Sequence, residues 1–136
     1  MLVLDSSVTL AWYVPDEGSG ATRQLLDRVV EQGAIVPQHW QLEVGNALLL
    51  AMRRRRVSPE RRAEALEQLL KMQLSVDTET SEHVWTRSLA LADTHRLTLY
   101  DACYLELAQR KRLPLATLDR DLRAAGNNLG LELLGV

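Results

Sequence analysis

Met1-Leu2-Val3-Leu4-Asp5-Ser6-Ser7 opens the chain, and the rest of the fold is read outward from it. Residues 1–5 are too short and too uniformly apolar for an amphipathic helix, and they read as a buried strand. Asp5 closes that strand. Ser6-Ser7 can then cap a helix running toward Pro15.

The same alternation continues along the chain. A helix over about 18–32 carries Leu25, Leu26, Val29 and Val30 on one side and stops at Gly33. Ala34-Ile35-Val36 is a second short strand, closed by Pro37. A long helix spans about 39–55, apolar at Trp40, Val44, Ala47, Leu48 and Ala51. Ser58-Pro59-Glu60 opens another helix to about Met72, with Ser58 as cap and Pro59 at the first helical position. Leu74-Ser75-Val76 is a third strand, and helices follow at about 80–95 and 100–111. Leu113-Pro114-Leu115-Ala116-Thr117 is a fourth strand, Asp119 to about Gly126 a short helix, and Leu131 to Leu134 a last edge strand. Alternating strands and helices predict an α/β fold: a mostly parallel central sheet of four to five short strands flanked by helices. No repeat or linker interrupts the 136 residues, so residues 1–136 are expected to form a single domain.

Composition narrows the function classes. Hydrophobic residues make up 46% of the chain, enough for a core and too many for a disordered protein. No apolar run approaches the ~18 residues of a membrane span. Met1-Leu2-Val3-Leu4 lacks a basic leader and meets a charge at Asp5, so it is not read as a signal peptide. The lone Cys103 cannot form an internal disulfide, which together with these features predicts a cytoplasmic protein without a membrane partner. The net charge of −2 lacks the basic excess of most nucleic-acid binders. Any such function must come from where charges are placed.

In open α/β sheets, ligands bind beyond the carboxyl ends of the strands. Asp5 ends the first strand, Asp119 follows the fourth, and Asp101 starts a helix. Glu43 lies inside the long helix. At about 100° per residue from Trp40 it falls between Ala47 and Leu50, in the apolar sector. A buried carboxylate needs a cation, a proton or donors, and Asn46, about a turn further on, is a candidate donor. Each acid also has a purely structural explanation. Asp5 and Asp119 can cap helices, Asp101 can answer the helix dipole, and Glu43 can reach for solvent.

Taken together, the four acids outline a carboxylate cluster whose mutual repulsion a hard cation such as Mg²⁺ or Mn²⁺ would relieve. Such an ion can hold a phosphate and activate water for in-line attack. Zinc fits poorly. His39, His83 and His95 show no paired ligand spacing and read as surface or core histidines.

These segments carry a resemblance. Val3-Leu4-Asp5-Ser6-Ser7 resembles the opening motif of PIN-domain nucleases, and Glu43-Val44-Gly45-Asn46-Ala47-Leu48 is similar to their second motif. Tyr100-Asp101-Ala102-Cys103-Tyr104 resembles the third and Thr117-Leu118-Asp119 the fourth. Order and spacing match over essentially the whole chain. The chain's length and the segment Ala11-Trp12-Tyr13-Val14-Pro15-Asp16-Glu17 resemble the toxin branch, the VapC-like ribonucleases of bacterial toxin–antitoxin pairs. The resemblance implies a PIN-like fold and endonucleolytic cleavage of an RNA substrate with Mg²⁺ or Mn²⁺. It also implies a homodimer, and inhibition by a small VapB-like antitoxin encoded alongside. Carried over by motif, Asp5, Glu43, Asp101 and Asp119 would be the catalytic, metal-holding acids. Ser7, Asn46 and Thr117 would support them through hydrogen bonds. Asp121 is a candidate extra acid or a solvated residue in a helix's first turn.

Other features have two explanations each. Arg53, Arg54, Arg55 and Arg56 are candidates for RNA contact, or a solvated helix end that complements the dipole, and Arg61 and Arg62 extend the positive surface. Trp12 or Tyr13 could stack on a base, or the aromatics pack in the core or a subunit interface. Leu49, Leu50 and Met52 could line an apolar groove for a partner helix. An aspartyl phosphatase would carry Asp-x-Asp after its first strand, where this chain has Ser7. A receiver domain needs an acidic pair before its accepting Asp, yet only one acid precedes residue 10. A non-toxin PIN nuclease of RNA processing and a catalytically inert PIN-like interaction module remain as alternatives.

Overall fold

A computed structural model describes residues 1–136. The chain begins β1 (Val3–Leu4), α1 (Ser6–Ala11), α2 (Gly20–Gln32), β2 (Ala34–Val36) and α3 (Trp40–Arg53). It continues through α4 (Pro59–Lys71), β3 (Leu74–Val76) and α5 (Thr80–His83), and then a π-helical turn over Val84–Ser88. α6 (Leu89–His95), α7 (Leu99–Lys111), β4 (Leu115–Ala116), α8 (Arg120–Asn128) and β5 (Leu133–Leu134) complete it. The strands form one sheet in the order β3-β2-β1-β4-β5, and every neighbouring pair is parallel.

β1 is central, which explains its uniform apolarity: Leu2, Val3 and Leu4 are fully buried. Val3 aligns with Ile35 on one side and Leu115 on the other. The order of strands reverses here, with β2 and β4 flanking β1, so a crevice opens beyond their carboxyl ends. α7 packs against β1 and β4 and is buried without interruption from Ala102 to Ala108. Its buried run, apolar but for the ion-paired Glu106 and the Tyr104 hydroxyl, therefore reflects a helix enclosed on all sides.

The elements differ from the sequence expectations in particular ways. The sheet is wholly parallel. Ser6 and Ser7 are the first residues of α1 and do not cap it; Asp5 holds the N-cap position, with no side-chain cap bond. The second helix starts at Gly20, after a capping box made by Ser19 and Thr22. The helix expected over 80–95 is interrupted by the π-helical turn. Val30 is half-exposed, outside the buried stripe of Leu25 and Val29. Ser58 caps α4 as expected, accepting the Arg61 N–H. Gly33 ends α2 with φ +76°, and a Cβ there would lie 2.8 Å from the Gln73 carbonyl oxygen, so this connection requires glycine.

Behind the sheet edge, Arg110 of α7 ties down the segment after β3. Its guanidinium donates to Asp77 Oδ2 at 2.6 Å, Glu106 Oε1 at 2.7 Å and Glu79 Oε2 at 3.3 Å. Asp77 and Glu106 are almost fully buried. Burial pushes the Asp77 carboxyl up, but donors on Arg110, Thr80 and the Glu79 N–H outweigh it and hold the group below its ordinary value. No helix is long and apolar enough to cross a membrane.

Candidate active site

The crevice beyond β1 and β4 holds the first acid. Asp5, 3% exposed, follows the buried strand directly and cannot turn to solvent. Its Oδ2 accepts hydrogen bonds from Ser7 Oγ at 2.6 Å and Thr117 Oγ1 at 2.7 Å. These two hydroxyls are themselves fixed. Ser7 Oγ accepts the Leu118 N–H at 2.9 Å, and Thr117 Oγ1 accepts the Asp119 N–H at 3.1 Å. The segment after β4 is thereby laced to the segment after β1. Burial pushes the Asp5 carboxyl up; the Ser7 and Thr117 donors oppose this, and Asp119 raises it further.

Asp119 caps α8, accepting the Leu122 N–H at 2.8 Å. The cap and the cluster are compatible, because Asp119 also acts electrostatically on Asp5 and Asp101. Asp101 stands in the first turn of α7, where its N–H is capped by Thr98 Oγ1 at 3.1 Å. Burial, followed by the charges of Asp5, Asp119 and Glu43, pushes its carboxyl up to about 6. Glu43 of α3 is partly buried, and burial raises its carboxyl, as does Asp5.

The structure therefore brings Asp5, Glu43, Asp101 and Asp119 into one electrostatically coupled group, with Ser7 and Thr117 beneath it. Asn46 is exposed and makes no hydrogen bond to Glu43. Asp121 is exposed in the first turn of α8, on the rim of a shallow depression lined by Leu118, Asp119 and Arg120. Arg53 to Arg56 are all exposed at the far end of α3, and Glu43 and Arg53 stand about 15 Å apart along the helix. Arg56 pairs with Glu17 at 3.0 Å.

Two residues of this site escaped the sequence reading. Tyr104 Oη donates to Glu43 Oε1 at 2.5 Å. His39, expected at the surface or in the core, lies with Nε2 3.0 Å from the Tyr100 carbonyl oxygen and 3.5 Å from Glu43 Oε1. Burial lowers its imidazole below the ordinary value. Of the two readings of Trp12 and Tyr13, core packing holds. Trp12 is engaged through Nε1 to the Thr22 carbonyl, and Tyr13 is buried under Arg61 with its hydroxyl on Gln68. Tyr100, beside Asp101, is the aromatic ring exposed at the site.

Two further features lie elsewhere. Donor atoms of Glu79, Glu82 and His83 fall within 4.8 Å of one another, although Glu79 is engaged by Arg110. The main apolar groove, about 290 Å³, lies within the 39–76 region, but it is lined by Trp40, Val44, Leu66, Leu69 and Leu74. Leu49 and Met52 do not line it, and Leu50 faces a smaller hollow beside Leu10 and Val14.

The fold and the placement of the acids define an α/β protein with an acid group beyond the carboxyl ends of β1 and β4, where the strand order reverses, and the comparisons agree on the fold. The family model for the PIN domain matches residues 2–128, and the chain belongs to that family. Within it the chain is VapC-like. It is 31% identical over 121 residues to Ribonuclease VapC3 of Pyrobaculum aerophilum, covering 89% of this chain and 91% of that protein. It is similar in structure to PAE2754 from Pyrobaculum aerophilum, with a TM-score of 0.67 and 26% identity over 91% of this chain and 84% of that one. FitAcB from Neisseria gonorrhoeae shares the fold, with a TM-score of 0.64 and 18% identity over 99% of this chain and 97% of that one. A toxin–antitoxin complex from Klebsiella pneumoniae does so too, with a TM-score of 0.59 and 23% identity over 89% of each chain.

Proposed function

We propose that this chain is a metal-dependent endoribonuclease, the toxin of a toxin–antitoxin pair, built as one PIN domain over residues 1–136 and acting in the cytoplasm. The observation that carries the nuclease chemistry is the convergence of Asp5, Glu43, Asp101 and Asp119, in which burial and neighbouring acid charges raise the carboxyls of Asp5, Glu43 and Asp101. The similarity to a ribonuclease over most of the chain supports RNA as substrate.

The donor set fits Mg²⁺ or Mn²⁺, since it is made of hard carboxylate oxygens without a thiolate. No three of these acids bring their oxygens within 4.8 Å of one another, which suits an ion that keeps several waters. When bound, such an ion supplies a phosphate contact and an activated water. The chain's own groups do the rest. Ser7 and Thr117 hold Asp5 in one orientation, and Asp119 is fixed by its cap. Asp101, free of a cation, keeps its proton up to about pH 6. Arg120 on the rim and the exposed ring of Tyr100 are placed to meet phosphate and base. Arg53 to Arg56 lie further along for a longer substrate, while Asp121 and Asn46 stand at the periphery.

The partners follow from unpaired apolar surface. Leu66 and Leu70, both exposed, line the α3–α4 groove, which fits an amphipathic helix of a VapB-like antitoxin. Trp85 within the π-helical turn and Leu89 just after it, both exposed, fit a homodimer contact.

The test is cleavage of RNA by purified protein with Mn²⁺ or Mg²⁺, beside Asp101→Asn and a chelator control. Cleavage by the wild type that both controls lower by at least about 100-fold supports the carboxylate–metal chemistry. Absence of both cleavage and metal binding would leave an interaction module.

A further inference from the structure

The structure assigns Tyr104 a place in this site: it is the positioning residue that fixes the Glu43 carboxylate, joining the helix of Asp101 to the helix of Glu43. The inference rests on the metal-nuclease proposal above. Tyr104 is fully buried and lies one turn beyond Asp101 on α7. Its Oη donates to Glu43 Oε1 at 2.5 Å, within the short range of hydroxyl–carboxylate bonds.

The alternatives for holding Glu43 are weaker. Asn46 is exposed and does not reach it. His39 Nε2 stands 3.5 Å away and is already engaged with the Tyr100 carbonyl at 3.0 Å. The His39 ring in turn packs edge-on against Tyr104, with centroids 5.2 Å apart and planes at 73°, so the phenol has little freedom to swing away. A glutamate left alone samples several rotamers, and a fixed donor selects one of them. Burial raises the phenol far above the working range, so this donor is always protonated.

A tyrosine that merely fills the core would behave differently from one acting through Glu43. Mn²⁺ binding is measured by titration calorimetry on the wild type, Tyr104→Phe, Glu43→Gln and the double variant, with melting curves to confirm folding. Tyr104→Phe, which keeps the ring, is expected to weaken Mn²⁺ binding by about 10–100-fold. On the Glu43→Gln background the same change is expected to add no more than about a twofold loss. In cleavage assays, kcat falls while KM for RNA is unchanged. Glu43→Asp, too short to keep the Tyr104 bond, should lose Mn²⁺ affinity as Tyr104→Phe does; it provides a second arm should the phenylalanine variant fold poorly. Wild-type affinity in Tyr104→Phe or in Glu43→Asp, or independent losses in the double variant, overturns the positioning role and leaves the metal site standing. No Mn²⁺ uptake by the wild type removes the metal site, and the role of Tyr104 with it.

Discussion

Neutral hydroxyls hold the Asp5 carboxylate, so its charge is balanced only when something else enters the crevice. Ser7 does double duty there, donating to Asp5 and accepting the Leu118 N–H. Ser7→Ala removes a charge-assisted bond and strands a backbone donor. It should lower stability by about 1–3 kcal/mol in urea denaturation and slow cleavage by tenfold or more. The four acids carried a signal only together, because each, at a strand end, a helix start or an anomalous helical phase, also has a structural explanation of its own. Tyr104 and His39 carried none. The Tyr104–Glu43 bond joins residues 61 positions apart, and no local pattern records a contact of that range. Asn46 misled for a related reason: helical neighbourhood places it near Glu43 without showing which strip faces the crevice.

At the scale of elements, the Arg110 cluster secures the segment after β3 to α7, with one guanidinium serving buried Asp77 and Glu106. Arg110→Met leaves both carboxylates without their cation and should cost about 3–5 kcal/mol in chemical denaturation. The start at Ser58 was readable because a serine before Pro59 makes the cap, whereas the caps by Ser19 and Thr98 carried no such flanking signal. Strand lengths were not readable. β4 is only Leu115–Ala116 of the expected 113–117: Pro114 has no N–H to give, while Thr117 keeps a backbone bond to the Leu134 carbonyl and uses its side chain on Asp5. The π-helical turn also escaped, since an extra residue within an apolar period shifts the phase without breaking the pattern, and Trp85 comes out exposed.

For the molecule as a whole, the acid group opposes folding when no cation is present. An ordinary Asp ionises near 3.8, whereas Asp101 in the folded chain does so at about 6. The folded state therefore holds this proton more tightly than the unfolded state. Its favourable contribution is complete below pH 3.8 and is lost as pH rises to about 6. Asp5 and Glu43 act in the same direction, while Asp77, held low, contributes above its ordinary value and is lost in acid. Without metal, the melting temperature of the wild type should fall relative to Asp101→Asn as pH rises from 4 to 7. Millimolar Mn²⁺ should raise it at pH 7.5 and much less at pH 5, where protons compete for the same oxygens. Class and parallel connectivity were legible from the alternation of strands and helices. The order β3-β2-β1-β4-β5 was not, because alternation does not say on which side of the first strand the fourth one lies.

That order also governs when the molecule becomes complete during its own synthesis. The central strand is made before the other four, but the hydroxyl of Thr117 and the carboxylate of Asp119 follow β4. A nascent chain that has emerged from the ribosome only as far as residue 112 carries Asp5, Glu43 and Asp101, with no β4 to close the crevice beside them. Translation thus completes the acid group only after β4 and the residues that follow it have been made, however early its other members appear.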